Sequence, residues 1–337
     1  MAWLPDRGPE HASRGGIMIS NANTVPNCSW TQDAITAINN EVHTVAGGVQ
    51  QTRTVFHPQI LTTPIMQYGS VVNQVMEIFN EAQLPGPSVT SEPNAGSAMI
   101  SARQLSVSVA QAEEMLIWQG NAVQLPQGVA GTNLATAGGG IIGAVGQHRQ
   151  AHRAGAFGLM QAVVEGINDL AAIGRAGPYA LFVSPAIAAD AQTRFVPETS
   201  VTVAAWLSTY LQQPPGSGLP GGMYTSVGLP ATVAVLVALP TQPLMLGVFK
   251  DTQAYDPIVA AQNAYLFKVS ESFHFVVTDP HACVRIDYVP AAAAPGLPLG
   301  MPGALFEAEA VEAPVAADVA AAEAEVALTD GDDTPRR

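Results

Sequence analysis

Residues Ala264–Val277 place Tyr265, Phe267 and Val269, then Phe273, Phe275 and Val277, at every second position. That is the period of a long strand with one face turned to a core. Residues 98–119 follow a different rule. Ala102, Leu105, Val109, Ala112 and Leu116 recur at three- and four-residue steps up to Gly120, the pattern of a long amphipathic helix with a glycine stop. One chain carrying both periods mixes helix and sheet.

The rest of the chain fills in around these two elements. Trp30, Ala34, Ile35, Ile38, Val42 and Val45 predict a helix of about four turns, capped by Ser29 with Gln32 reaching back, and ended by Gly47-Gly48. Residues 49–93 read as extended ribbon and loop, interrupted by Pro58, Pro64, Pro85 and Pro87. A Gly- and Ala-rich connection follows over 121–155, then a helix over 157–173 with Met160, Val163, Val164, Ile167 and Leu170 inward. Tyr179–Val183 is a continuous apolar run suited to a strand buried on both faces. Short helices near 185–194 and 201–211, and strands over 232–239, 244–249 and 284–289, complete the reading. Residues 1–28 are a flexible leader and 290–337 a disordered acidic tail by composition.

Charge decides which partners such a chain accepts. Only 12% of the 337 residues are charged, about half the usual quarter, so much of the surface needs another cover, and a subunit interface is the simplest. Of the net −14, half lies in residues 306–337. Thirteen Lys and Arg without a basic run give no footprint for nucleic acid. Cys28 and Cys283 are too few for a disulfide framework or a zinc site, which fits a reduced cytoplasmic setting. The most apolar stretch, 231–239, is bounded by Pro230 and Pro240 and is far shorter than the roughly 20 residues of a membrane span. The N-terminus shows no signal-peptide pattern.

Four stretches carry a resemblance. They are Ala102-Arg-Gln-Leu with Ala112-Glu-Glu-Met-Leu-Ile-Trp-Gln-Gly120, then Gly177-Pro-Tyr-Ala-Leu-Phe-Val-Ser-Pro185, then Gly221-Gly-Met-Tyr-Thr-Ser, and finally Ala264 through Phe273-His-Phe-Val-Val-Thr-Asp-Pro280. In this order they resemble the encapsulin family, whose subunits share the fold of tailed-phage major capsid proteins. The resemblance covers about residues 29–289 and implies an α+β fold. Its parts would be a lumen-facing N-terminal helix (29–48), an extended arm (49–97), a peripheral domain (98–177, with returning strands 263–289) and an axial domain (178–262). It also implies a large homo-oligomer that closes into an icosahedral shell around a cargo protein held by a short terminal peptide.

The resemblance assigns two candidate sites. Trp30, Ile35, Ile38 and Val42 would line an apolar groove for the cargo peptide, unless the stripe simply packs on its own subunit. Pro215, Gly216, Ser217, Gly218 and Leu219 would form a pore loop at a symmetry axis, or an ordinary surface turn. His148 and His152 are spaced like metal ligands but lack a third, so a solvated loop is the expectation. Gly138-Gly-Gly140 lacks the Lys-Ser/Thr of a phosphate loop and reads as a flexible connection. No G-x-S-x-G occurs. Some relatives in the family bind flavin through a Trp before the long helix. Residues 49–97 offer only Phe56, Tyr68 and Phe79, so no cofactor is expected.

The leading expectation is therefore a non-enzymatic, cytoplasmic, encapsulin-type shell protein, with no nucleic acid or membrane partner. A major capsid protein of a tailed phage or prophage and an unrecognised soluble α/β enzyme are the alternatives.

Overall fold

The structure, a computed structural model, describes residues 28–68, 71–145, 149–152, 156–212, 219–261 and 263–288. The alternating run forms the middle of a six-stranded sheet. Ala264–Val277 pairs antiparallel with Met76–Pro85 in unbroken register, from Ala264 opposite Pro85 to Phe273 opposite Met76. Its other edge takes Leu244–Ala254 and then Ile258–Ala261, both antiparallel. Ala130–Thr132 extends the sheet beyond Met76–Pro85, and Gln59–Ile60 lies parallel to Leu244–Ala254.

The long helix, Gly96–Gln119, lies against this sheet and against the N-terminal helix Gln32–Val49. Gly120, with φ +75°, ends it because a Cβ there would stand 2.2 Å from the carbonyl oxygen of Gly138. The Gly138–140 segment is therefore a tightly packed turn and not the flexible connection expected. Asn121 N donates to Gly138 O at 2.9 Å, and a Cβ on Gly140 would meet Trp118 O at 2.6 Å.

Two boundaries differ from the sequence reading for local reasons. The N-terminal helix is capped by Thr31, whose Oγ1 accepts from Ala34 N at 3.2 Å. Ser29 is engaged elsewhere: its backbone and side chain both donate to Val89 O, and Trp30 Nε1 donates to Ser88 O at 2.9 Å, so residues 29–30 stay extended. Gly47 and Gly48 do not end the helix. Nothing lies within 4 Å of either Cβ position, and a surface glycine costs a helix only about 1 kcal/mol.

Within the expected arm, Ile65–Tyr68 and Val71–Gln74 do form a two-stranded hairpin. Met76–Pro85, however, is a strand of the large sheet with Met76, Ile78 and Leu84 buried. Its Pro85 is the last residue of the strand, so it interrupts no ladder beyond it.

The second sheet has five strands in the order Arg149–His152, Cys283–Tyr288, Val233–Ala238, Tyr179–Val183, Gly222–Thr225. Helices Ala156–Ala172, Pro185–Thr193 and Val203–Leu211 accompany it, the last two capped by Ser184 and Thr202. Tyr179–Val183 and Val233–Ala238 are buried on both faces. Ala180, Phe182, Val233, Val235 and Val237 join the core of the large sheet. Tyr179, Leu181, Val183, Ala234, Leu236 and Ala238 join a second core with the three helices.

Candidate functional site

Of the four residues expected to line a cargo groove, Trp30, Ile38 and Val42 are buried in the core of their own subunit. Ile35 alone is half-buried and reachable. The stripe thus serves first to dock the helix on Gly96–Gln119. In the pore loop, Leu219 is described and is 41% exposed. Pro215, Gly216, Ser217 and Gly218 lie outside the described residues, as does His148. His152 is placed only by its backbone, opposite Tyr288. Among the described residues no group of three His, Cys, Asp or Glu is arranged to hold a metal ion, and no helix is long and apolar enough to cross a membrane. Phe56 stacks on Phe182, and Phe79 lies 4.0 Å below the Lys268 ammonium. Cys283 is buried, and burial aided by Asp279 pushes its thiol up to about 12, so it is inert as a nucleophile.

The densest polar chemistry lies where the two long periods cross. Arg53, on the short helix Gln51–Phe56, reaches between strand and long helix. Its Nε donates to Glu113 Oε1 at 2.9 Å, its Nη1 to Asp251 Oδ1 at 2.7 Å, and its Nη2 pairs with Glu271. Gln50 Nε2 bridges Glu113 and Glu271, and Thr252 Oγ1 donates to Glu271 Oε2 at 3.1 Å. Glu114 is held separately: Thr52 N donates to its Oε1 at 2.7 Å, while Trp118 Nε1 and the Ser226 hydroxyl donate to its Oε2. Glu113, Glu114 and Glu271 are fully buried.

One guanidinium thus faces two buried carboxylates and a more exposed third. Burial raises the Glu113 carboxyl to about 7 despite the opposing field of Arg53, and raises Glu114 as well. The sequence carried a signal for this cluster. Glu271 falls in phase with Val269 and Phe273 on the apolar face, and Glu113-Glu114 stand beside Ala112 on the helix.

Because the folded state holds the Glu113 proton more tightly than the unfolded chain does, this group's contribution is fully present below about pH 4.5. It is lost as pH rises towards about 7. Glu113→Gln should therefore gain stability relative to the parent across that window, by up to about 3 kcal/mol, and the difference should stay level above it. Paired urea titrations from pH 4.5 to 8 read this directly, and a pH-independent difference would refute it.

The outer surface is notable for what it shows in a single chain. Between Arg53 and Glu77 no Asp, Glu, Lys or Arg occurs, and this uncharged span includes the hairpin and exposed Ile60 and Ile65. Ile258 and Val259 are more than half exposed on Ile258–Ala261, a strand whose far edge pairs with no strand among the described residues. Unpaired edge amides beside apolar side chains favour association.

No protein-family model and no curated protein matches the chain. Among solved structures, the virus-like particle from Pyrococcus furiosus aligns with a TM-score of 0.53 at 12% identity, covering 76% of this chain and 99% of that one. The capsid of an empty GTA particle gives 0.46 at 14% identity, covering 71% and 90%. A phage-related protein from Bordetella bronchiseptica gives 0.46 at 9%, covering 76% and 98%. The chain has the α+β fold of the tailed-phage major capsid proteins.

Proposed function

We propose that the protein is a shell subunit that assembles with copies of itself into a closed, encapsulin-type compartment. The observation that carries this reading is a pair of uncharged, partly apolar surfaces, the hairpin with Ile60 and the Ile258–Ala261 edge, presented on a capsid-type fold. A surface that charge does not cover is covered by a neighbour, and heterologous contacts of this kind close when the rotation between copies closes. The subunit acts as a wall and not as an enzyme. Cargo is a protein whose terminal peptide docks beside the N-terminal helix, with Ile35 as the accessible anchor.

A tailed-phage or prophage capsid protein uses the same fold to enclose DNA. The net charge of −14 with thirteen Lys and Arg speaks against a DNA-filled lumen. Negative-stain microscopy of the purified protein, with mass spectrometry and nucleic-acid absorbance of the particles, separates the readings. Hollow particles with a co-purifying protein support the compartment, DNA-filled particles support the phage capsid, and elution as a monomer or small oligomer removes both.

The double substitution Ile258→Asp with Val259→Asp should leave the circular dichroism of the subunit unchanged, since exposed positions move stability by only about ±0.5 kcal/mol. The same change should abolish particles. Normal particles from this variant would show that the edge is not a contact.

A further inference from the structure

We infer that His274 is a proton-sensitive latch beneath the base of the hairpin arm: neutral, it lets residues 61–66 close over the sheet, and protonated, it drives that segment off. His274 is fully buried, and neither Nδ1 nor Nε2 has a hydrogen-bond partner among the described residues. Its cross-strand partner is Gly247, and directly paired residues point to the same face. On that face a Cβ added to Gly247 would lie 2.9 Å from Leu61 Cδ1 and 3.1 Å from Met66 Sδ. The roof beside the imidazole is therefore the apolar start of the arm, with Met66 itself buried.

The roof is lightly attached. Leu61 N donates to Val248 O at 2.8 Å and Val75 N to Pro64 O at 3.1 Å, next to the two parallel pairs of Gln59–Ile60. A short segment held this way opens far more readily than the sheet below it.

Among the described residues no anion stands ready to receive an imidazolium. From Met76–Pro85 the acids on this face are Glu77, opposite Ser272, and Glu81, opposite Lys268 six residues along the strand from His274; Glu77 accepts from Lys268 Nζ at 3.1 Å. From Leu244–Ala254, Lys250 also stands opposite Ser272 and is itself a cation. On the histidine's own strand Lys268 is cationic, and Glu271 points to the other face, where Arg53 and Gln50 hold it. The arm from Thr54 to Met76 carries no Asp, Glu, Lys or Arg, and its one titratable imidazole, His57, precedes the roof. Burial alone accordingly holds His274 below its usual 6.5. The sign follows: closure is at full strength above about pH 6.5 and weakens as pH falls through the folded value, because the open arm binds a proton that the closed one excludes.

The latch acts within one chain and goes beyond the shell reading without depending on it. Hydrogen exchange of the full-length protein at pH 7.5 and 5.5, corrected for intrinsic rates, tests it in peptides covering 58–67. In the parent, opening should rise several-fold, to a ceiling of about tenfold, between the two pH values, while peptides of the long helix over 105–118 stay protected. His274→Phe and His274→Gln should each bring the ratio to about one, whatever their absolute stability. A parent ratio near one, or a several-fold change surviving in either variant, would overturn the latch. Light scattering on the same samples reports particle integrity separately, so arm opening and loss of assembly are read independently.

Discussion

Arg53→Met should destabilise the subunit by about 3–5 kcal/mol at pH 8, because it leaves Glu113 and Glu271 buried without their cation. That is a large share of the roughly 5–15 kcal/mol that separates folded from unfolded domains. The loss should be partly acid-rescued. Arg53 is what opposes the upward push of burial on Glu113, so without it the carboxyl protonates more readily still. By pH 5 Glu113 is neutral, and its share of the penalty should disappear. Arg53→Lys should recover only part of the stability, since one ammonium on a flexible stem cannot present the three donors that reach Glu113, Asp251 and Glu271. Denaturant titrations at both pH values measure this. An equal loss at pH 8 and pH 5 would mean that the guanidinium acts through packing and not through charge.

Phe182→Ala should cost a similar 3–5 kcal/mol, by a different mechanism. The ring is fully buried at the meeting point of three aromatic side chains: Trp118 at 4.7 Å between centroids, Tyr224 at 5.6 Å and Phe56 at 5.8 Å. Removing it leaves a cavity bordered by rigid rings that cannot collapse into it. Phe182→Leu should lose less than half as much, and neither change should be relieved by acid. Trp118 provides an internal reporter, so its fluorescence should change in the folded state of Phe182→Ala. An unchanged spectrum with a loss below about 1 kcal/mol would place the ring outside the core described above.

What could be read from the sequence tracks how far burial sets each element's pattern. Gly96–Gln119 and Ala264–Val277 each turn one face to a large apolar layer, which sets their period, whereas Tyr179–Val183 turns both faces to apolar layers, which sets its unbroken apolar run. Met76–Pro85 is less regular. Asn80 occupies a buried position, and Glu77 and Glu81 alternate with the apolar residues, so the strand passes for loop beside so many prolines. The Thr31 cap was hidden because Ser29 satisfies the same motif two residues earlier, and only the contacts with Ser88 and Val89 distinguish them. The buried carboxylates are legible only in part. Their phase shows that they face inward, but Arg53 lies 60 residues from Glu113 and 218 from Glu271, and no local pattern joins positions so far apart.

Tyr179–Val183 and Val233–Ala238 in the five-stranded sheet each send alternate side chains to two different cores, even residues of the first and odd residues of the second going to the core of the large sheet. A single inserted or deleted codon inside Tyr179–Val183 would hand Phe182's place to a residue meant for the helices, and the reverse, so both halves would be misfilled at once. Length variation among natural versions of this chain is therefore expected to stop at the ends of these strands. It should gather instead in segments that answer to one neighbour or to none.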